Sequence, residues 1–169
     1  MSYPEPAHPQ HGLSETEPPE AGPQSGLGEQ EAITYRQATP EDADMIHAIL
    51  RPYVMNRKLF ARTEAEVIDL TRHGFLAEAN GRPIGFAAVE VYNRKLAEVQ
   101  SLAIRVEYQG RGIGQELVAR CVERARELGV CEVMAISSSE DFLKRCGFDY
   151  ALPDQKRALF YQLKPRSLD

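Results

Sequence analysis

The chain has 169 residues, which suits one domain, and its 43% of hydrophobic residues exclude a wholly disordered protein. The net charge of −5 is uneven: residues 1–31 hold six Glu and no Lys or Arg, so the remaining residues carry about +1 and bulk binding of nucleic acid is not expected. No apolar run is long enough to cross a bilayer, and no signal-peptide pattern follows Met1, so we expect no membrane partner.

Residues 1–31 are the first predicted segment, and their composition is typical of disorder. They contain six of the eleven prolines and four of the twelve glycines, with few apolar side chains. Such a segment cannot bury enough apolar area to offset the entropy of ordering it. We therefore expect residues 1–31 to be a disordered, solvated extension and residues 32–169 to form one folded domain.

Strand, helix and hairpin patterns follow one another from Ile33 onward. Thr39-Pro40 supplies an N-cap and a proline suited to the first helical position, and Thr63-x-x-Glu66 is a capping box for a second helix. Asn80-Gly81 is the strongest short signal for a hairpin. The predicted strands are Ile33 to Ala38, Phe75 to Ala79, Ile84 to Tyr92, Leu96 to Val106, Glu132 to Ser137 and Ala158 to Leu163. The predicted helices follow Thr39, follow Thr63 as far as about Gly74, and run from Gly112 to Gly129 and from Ser139 to Cys146.

This order of elements predicts an α/β domain, with a mixed sheet and helices on both of its faces. The helix after Gly112 carries apolar residues at helical spacing, which predicts that one face is buried. Those residues are Ile113, Leu117, Val118, Cys121, Val122, Ala125 and Leu128. A further short strand near Phe148 is left open, and no internal repeat is found.

The cysteines and histidines indicate neither disulfides nor a metal site. Cys121, Cys131 and Cys146 form an odd set without a Cys-x-x-Cys pair. His47 and His73 lie in or beside predicted helices without ligand partners. We therefore expect no metal and a reducing, cytoplasmic setting.

A glycine-rich turn joins the strand that ends near Val106 to the helix that follows. It reads Gln109-Gly110-Arg111-Gly112-Ile113-Gly114. Glycines let successive backbone N–H groups point at one spot, and the helix N-terminus adds partial positive charge, so the turn is typical of a pyrophosphate site. No Gly-Lys-Ser/Thr follows, and residue 115 is Gln, so neither a Walker loop nor a dinucleotide fingerprint fits.

This turn matches the Gln/Arg-x-x-Gly-x-Gly/Ala signature, and the chain resembles the GCN5-related N-acetyltransferases (GNAT family). The preceding Leu102-Ala103-Ile104 and the later Gly147-Phe148 match as well. The resemblance implies a GNAT-like, mostly antiparallel mixed sheet and acetyl-CoA as co-substrate, bound in a V-shaped split between two parallel strands. It implies backbone contacts to pantetheine from Leu102, Ala103 and Ile104. It implies a pyrophosphate cradle of Gln109, Gly110, Arg111, Gly112, Ile113, Gly114 and Gln115.

Within that family, the middle of the chain resembles the short amino-acid N-acetyltransferases of arginine biosynthesis, the N-acetylglutamate-synthase type. Four stretches carry the likeness: Asn56 to Thr63, Glu98 to Ile104, Ser137 to Leu143, and Leu152-Pro153-x-x-Lys156. Many relatives place a tyrosine, the proton donor to the departing thiolate, where this chain has Leu143. Arginine-pathway members also lack that tyrosine, so its absence agrees with the narrower likeness.

The narrower resemblance implies roles for three side chains. Glu98 corresponds to the base that removes a proton from the acceptor ammonium, although a solvated strand acid is the plain alternative. Ser137 is a candidate contact for the thiolate or acceptor, and a helix-capping serine is its alternative. Arg62 is the candidate for holding an acceptor carboxylate in a bidentate pair, with Arg57 and Lys58 as weaker candidates.

We therefore expect an acetyl-CoA-dependent N-acetyltransferase acting on the α-amine of a small amino acid, with L-glutamate favoured. Two alternatives stay open: acetylation of another amine, such as a protein N-terminus, polyamine or drug, and an idle acetyl-CoA-binding sensor. The expected partner is a small-molecule acceptor, and a homodimer is left open.

Overall fold

The computed structural model describes residues 31–137, 139–151 and 163. Residues 1–30 of the predicted extension lie outside this part of the chain, as does the Leu152-Pro153-x-x-Lys156 stretch. The last predicted strand, Ala158 to Leu163, also lies outside it except for its final residue.

Five strands and four helices are formed within the described ranges. They are β1 (Ile33–Gln37), α1 (Ala43–Met55), α2 (Glu64–Thr71), β2 (Gly74–Ala79), β3 (Arg82–Val91), β4 (Leu96–Ile104), α3 (Ile113–Glu127), β5 (Glu132–Ala135) and α4 (Glu140–Arg145). The strands form one sheet in the order β1-β2-β3-β4-β5. Every neighbouring pair is antiparallel except β4 and β5, which are parallel. This confirms the mixed, mostly antiparallel sheet.

Helices cover both faces of the sheet, as the sequence predicts. On one face α3 buries Leu117, Val118 and Cys121 against β2, β3 and β4. On the other face α1 and α2 bury a second cluster that includes Ile46 and Val67. Leu128 is an exception to the predicted buried face, because it lies just beyond the end of α3 and is 39% exposed.

Two local signals are confirmed in detail. Asn80 and Gly81 both have positive φ, at 49° and 74°, as the tight turn between β2 and β3 requires. At α2, Glu66 N donates to Thr63 Oγ1 over 3.3 Å, and Thr63 N donates to the Glu66 carboxylate over 2.7 Å. The capping box therefore begins α2 where the sequence predicts it.

The element ends differ from the prediction by a few residues, and the reasons are local. A 3-10 turn at Pro40–Asp42 precedes α1, so the α-helix itself begins at Ala43. A second 3-10 turn at Val106–Tyr108 ends β4 at Ile104, and β5 stops at Ala135 rather than Ser137. Phe148 is not part of a strand.

A buried carboxylate ties β1 to the start of α1. Asp42 is only 4% exposed, and both of its oxygens accept hydrogen bonds from the Arg36 guanidinium, at 2.7 and 2.8 Å. Thr39 N also donates to the Asp42 carboxylate, over 2.8 Å, and Arg36 Nε donates to the carboxylate of Glu78 in β2. The hydrogen bonds from Arg36 lower the pKa of Asp42 to about 2.

We expect this carboxylate to make the fold acid-sensitive. Because the folded-state pKa of Asp42 is lowered, its stabilisation is present above the ordinary aspartate pKa and is lost as pH falls toward about 2. Asp42→Asn should lower the free energy of unfolding at pH 7 by about 1–3 kcal/mol. Urea unfolding at pH 7, 5, 4 and 3 should show this difference shrinking with acid. The control Asp44→Asn, at an exposed carboxylate of α1, should change stability by less than about 0.5 kcal/mol.

Candidate active site

A cleft opens where two parallel strands stop pairing. β4 and β5 are in register from Leu96 opposite Glu132 to Val99 opposite Ala135, where β5 ends. β4 continues to Ile104, so its edge has no strand partner there among the described residues. The cleft between the two strands has a volume of about 960 Å³. This is the split that the resemblance implies for acetyl-CoA.

A bulge in β4 sets which way its side chains face in the cleft. Ala103 pairs with Phe86 and Gln100 with Ala88, so Ser101 and Leu102 both lie opposite Ala87. Ser101 has φ of 56°, a conformation uncommon outside glycine. The extra residue reverses the alternation. Val99 belongs to the α3 core before the bulge, whereas Ala103 belongs to the α1–α2 core after it.

Most of the predicted site residues line this one cleft. They are Arg62, Glu98, Leu102, Ala103, Ile104, Gln109, Gly110, Gly112, Ile113, Gly114, Gln115 and Ser137. Arg111 is not among the lining residues. Its guanidinium lies over the Tyr108 ring, 4.9 Å from the centroid, and donates to the backbone oxygen of Glu107 over 3.1 Å.

The glycine-rich turn brings the N-terminus of α3 to the cleft. Gly110 and Gly112 have φ of 77° and 79°, and a side chain on either would meet no protein atom within 4 Å. Gly114 is different, because an added Cβ would lie 3.3 Å from the Phe142 ring. The open backbone at the first two glycines and the positive end of α3 together suit an anion.

Tyr53, in α1, also lines the cleft, although the sequence analysis does not predict it as a site residue. Its hydroxyl donates to Ile104 O over 2.7 Å and accepts from Ile104 N over 3.1 Å. Gln109 Nε2 donates to the same hydroxyl over 2.8 Å. Tyr53 therefore occupies the backbone N–H and C=O of Ile104 on the edge of β4 that β5 does not pair with, next to the glycine-rich turn.

A hydrogen-bond network joins the predicted base to the predicted acceptor-binding arginine. Glu98 accepts from the Tyr92 hydroxyl, and Arg62 donates to Gln100 Oε1. Gln100 Nε2 lies 2.6 Å from a Glu90 oxygen, 2.9 Å from the Tyr92 hydroxyl and 3.2 Å from a Glu98 oxygen. Burial and the carboxylate of Glu98 raise the pKa of Tyr92 to about 12, so this phenol stays protonated and donates.

Ser137 lies at the opposite wall of the cleft, just past the end of β5. Its hydroxyl accepts a hydrogen bond from Ser139 N over 3.0 Å, which closes a local serine turn just before α4, and Ser139 itself is the N-cap residue of that helix. The side chain is exposed and lines the cleft as well. The capping alternative for Ser137 is therefore wrong, because Ser139 is the N-cap of α4, and its contact with the thiolate or acceptor stays a prediction.

Other reactive groups lie outside this chemistry. Cys121 is buried in the α3 core, and burial raises the pKa of its thiol to about 12. His73 Nδ1 accepts a hydrogen bond from Arg124 over 3.3 Å. Across residues 31–137 and 139–151, no three His, Cys, Asp or Glu side chains are grouped to hold a metal ion. No helix of that part of the chain has the length and apolar character to span a membrane.

The chain is similar to known N-acetyltransferases in sequence and in structure. The model of the acetyltransferase (GNAT) family matches residues 42–148. An uncharacterized N-acetyltransferase of Chlorobaculum tepidum is 34% identical over 67% of this chain and 73% of its own length. An amino-acid acetyltransferase of Aeromonas salmonicida is 31% identical over 73% of this chain, which spans only 29% of that protein.

A solved structure of N-acetylglutamate synthase from Neisseria gonorrhoeae, complexed with coenzyme A and N-acetyl-glutamate, superposes with a TM-score of 0.66. It is 25% identical and covers 74% of this chain, which spans 30% of that protein. The family match covers β2 to β5, including the bulged strand, together with the glycine-rich turn and α4, and it begins after β1. Acetyl-CoA is accordingly the co-substrate of this enzyme. The chain belongs to the GNAT family of N-acetyltransferases.

Proposed function

We propose that this enzyme transfers the acetyl group of acetyl-CoA to the α-amine of a small amino acid, with L-glutamate as the favoured acceptor. The observation that carries the proposal is the network in which Arg62 and Glu98 meet through one glutamine side chain. The Arg62 guanidinium and the Glu98 carboxylate lie on the same side of the cleft, which supports proposing the first as the group that holds an acceptor carboxylate and the second as the proton acceptor. The likeness to amino-acid acetyltransferases supports the same acceptor class and a place in arginine biosynthesis.

On this proposal, the acetyl-CoA pyrophosphate lies against the N-terminus of α3. The cradle is Gln109, Gly110, Arg111, Gly112, Ile113, Gly114 and Gln115, with Arg111 contributing through its backbone. The pantetheine arm pairs with the unpaired edge of β4 at Leu102, Ala103 and Ile104, and the Tyr53 hydroxyl leaves Ile104 when it does so. Backbone N–H groups at the bulge polarise the thioester carbonyl.

The proposed chemistry is one acyl transfer with balanced protons. Glu98 takes a proton from the acceptor ammonium, directly or through one water, and the free amine attacks the thioester carbon. The C–S bond breaks, and the second proton that the amine nitrogen loses as the amide forms passes to the departing CoA thiolate, which leaves as the thiol. Since Leu143 has no hydroxyl to offer the thiolate, Ser137 is the side chain that we assign to contact it.

The charges of the cleft favour an anionic acceptor. Among the described residues, its charged lining side chains are Lys58, Arg62, Arg145 and Glu98, three cations and one carboxylate. A polyamine would meet like charge here, whereas the two carboxylates of glutamate meet opposite charge. A cytoplasmic setting suits free cysteines, and Cys121, Cys131 and Cys146 are all unpaired.

The glycine-rich turn gives the first test, and Gly81 is a matched control. Gly112 and Gly81 have similar φ, 79° and 74°, and both face open space. Gly112→Val and Gly81→Val should therefore destabilise the fold comparably, by about 1–2 kcal/mol or more. Only Gly112→Val should weaken acetyl-CoA binding, by at least about tenfold, because its side chain enters the cradle. Titration calorimetry with unchanged affinity in a folded Gly112→Val protein would count against the cradle.

Glu98→Gln tests the base. The change keeps the shape of the side chain and removes proton acceptance, so kcat should fall by about 10²–10⁴. Acetyl-CoA affinity should hardly change, because Glu98 lies before the bulge and the pantetheine contacts lie after it. Glu132→Gln, at an exposed position of β5, is the control and should retain full turnover. Wild-type kcat for Glu98→Gln between pH 6 and 9 would return Glu98 to the role of a surface acid.

Arg62 variants test the acceptor. Arg62→Lys keeps the charge and loses the planar fork, and Arg62→Ala loses both. We expect Arg62→Ala to cost about 2–4 kcal/mol, or about 30- to 1000-fold in kcat/KM for glutamate, with acetyl-CoA binding unchanged. Arg72→Ala is the control, since Arg72 is 76% exposed and pairs with Asp69 on α2. Normal glutamate acetylation by Arg62→Ala, or a wild-type preference for a peptide amine or polyamine, contradicts the proposed acceptor.

A further inference from the structure

Gln100 lies between the two charged groups that the proposed reaction uses. Its side chain is half-buried on β4, two residues from Glu98 and on the same face of the sheet. The amide oxygen accepts from the guanidinium of Arg62, which comes from the loop between α1 and α2. The amide nitrogen donates to the carboxylates of Glu90 and Glu98 and to the Tyr92 hydroxyl.

The strand register explains why this position needs an amide. Glu90 of β3 and Glu98 of β4 are direct partners across the antiparallel pair, so two carboxylates lie side by side. Like charges directly opposite one another are destabilising unless donors lie between them. Gln100 and Tyr92 supply those donors, and Gln100 alone of the two also has an acceptor pointing at Arg62.

Other side chain types would satisfy only one end of this arrangement. A carboxylate would accept from Arg62 and repel Glu90 and Glu98, whereas a cation would do the reverse. An aliphatic side chain would satisfy neither. A neutral amide offers an acceptor at one atom and donors at the other, so it meets the arginine and the carboxylates at once.

We propose that Gln100 is a positioning residue for acetyl transfer, which fixes the Arg62 guanidinium and the Glu98 carboxylate relative to each other. The proposal rests on the proposed function, in which Arg62 holds the acceptor carboxylate and Glu98 takes the proton. One N–H group of the Arg62 guanidinium donates to Gln100, and the remaining N–H groups can donate to the acceptor carboxylate. The acceptor amine is thereby held beside the strand that carries its base.

The test compares Gln100→Met with Gln100→Glu. Gln100→Met keeps the length and removes both functions of the amide, and Gln100→Glu keeps an acceptor for Arg62 but loses the donors. The control is Gln37→Met, an exposed glutamine of β1 whose amide donates to the backbone of Arg72 over 3.0 Å. Steady-state kinetics with varied glutamate and varied acetyl-CoA are measured from pH 5.5 to 9.5, and thermal unfolding confirms that each variant is folded.

The KM for the acceptor is the first readout. Gln100→Met should raise the KM for glutamate by about tenfold and leave the KM for acetyl-CoA unchanged, since the cofactor contacts lie beyond the bulge. In an Arg62→Ala background the same change should add less than about twofold, because Gln100 acts on the acceptor through Arg62. Gln37→Met should match the wild type in every constant.

The pH profile of kcat is the second readout. The groups beside Glu98 are Glu90 from β3, Tyr92 just after β3 and Gln100 from β4, while β5 presents Met134. Arg62 and Lys58, from the loop between α1 and α2, line the same cleft. Losing a donor disfavours the charged carboxylate, so the acidic limb should move to higher pH in Gln100→Met. It should move further in Gln100→Glu, by about one pH unit or more, because a third carboxylate is added.

Three outcomes would overturn the proposal. Wild-type acceptor KM and an unmoved acidic limb in folded Gln100→Met would do so while leaving the proposed function standing, provided that Arg62→Ala and Glu98→Gln are impaired. A loss of thermal stability with unchanged KM and pH profile would show that Gln100 only holds the α1–α2 loop against the sheet and has no role in acetyl transfer. If the wild type acetylates no free amino acid, the proposed function fails, and this role for Gln100 fails with it.

Discussion

The loss of pairing between β4 and β5 after Val99 and Ala135 is the constraint on which the site depends. A parallel neighbour that continued to Ile104 would occupy the backbone groups of β4 and close the cleft. Instead β5 stops and the chain turns toward α4, while β4 runs on into the glycine-rich turn. One strand edge and one helix N-terminus therefore face the same space, and both offer backbone donors rather than side chains. A diphosphate joined to an extended amide chain has this combination of needs.

The bulge at Ser101 divides β4 into two parts with different chemistry. After the bulge, Leu102 and Ile104 contribute backbone to the cleft and apolar side chains to the α3 core. Before it, Glu98 and Gln100 contribute side chains on the face that α1, α2 and their connecting loop cover. The left-handed backbone at Ser101 costs energy, and the surrounding sheet maintains it. This strained conformation accompanies the reversal of the side-chain alternation, at the point where the thioester is expected.

Sequence reasoning worked where the signal was local. Asn80-Gly81, the capping box at Thr63 and the turn at Gly112 each lie within a few residues, and each has a backbone requirement that few residue types meet. It missed the hydroxyl of Tyr53 and the amide of Gln100, whose partners lie 51 and 38 residues away in the chain. Sequence reasoning also did not predict the bulge in β4. Glycine or asparagine at this position would have indicated a positive φ, whereas serine gives no such indication.

The division of β4 also bears on how an enzyme of this fold selects its acceptor. In the proposed function, acetyl-CoA is held after the bulge by backbone contacts, which tolerate changes of side chain and would therefore constrain the sequence weakly. Glu98 and Gln100 are proposed to act through their side chains, and Arg62 lies on a loop that contacts β4 through Gln100. If they meet the acceptor as proposed, substitutions at these three positions would change the charge and hydrogen bonds that the acceptor encounters and would leave the unpaired strand edge in place. The acceptor class can therefore diverge through a few side chains of one strand and one loop while the acetyl donor stays the same.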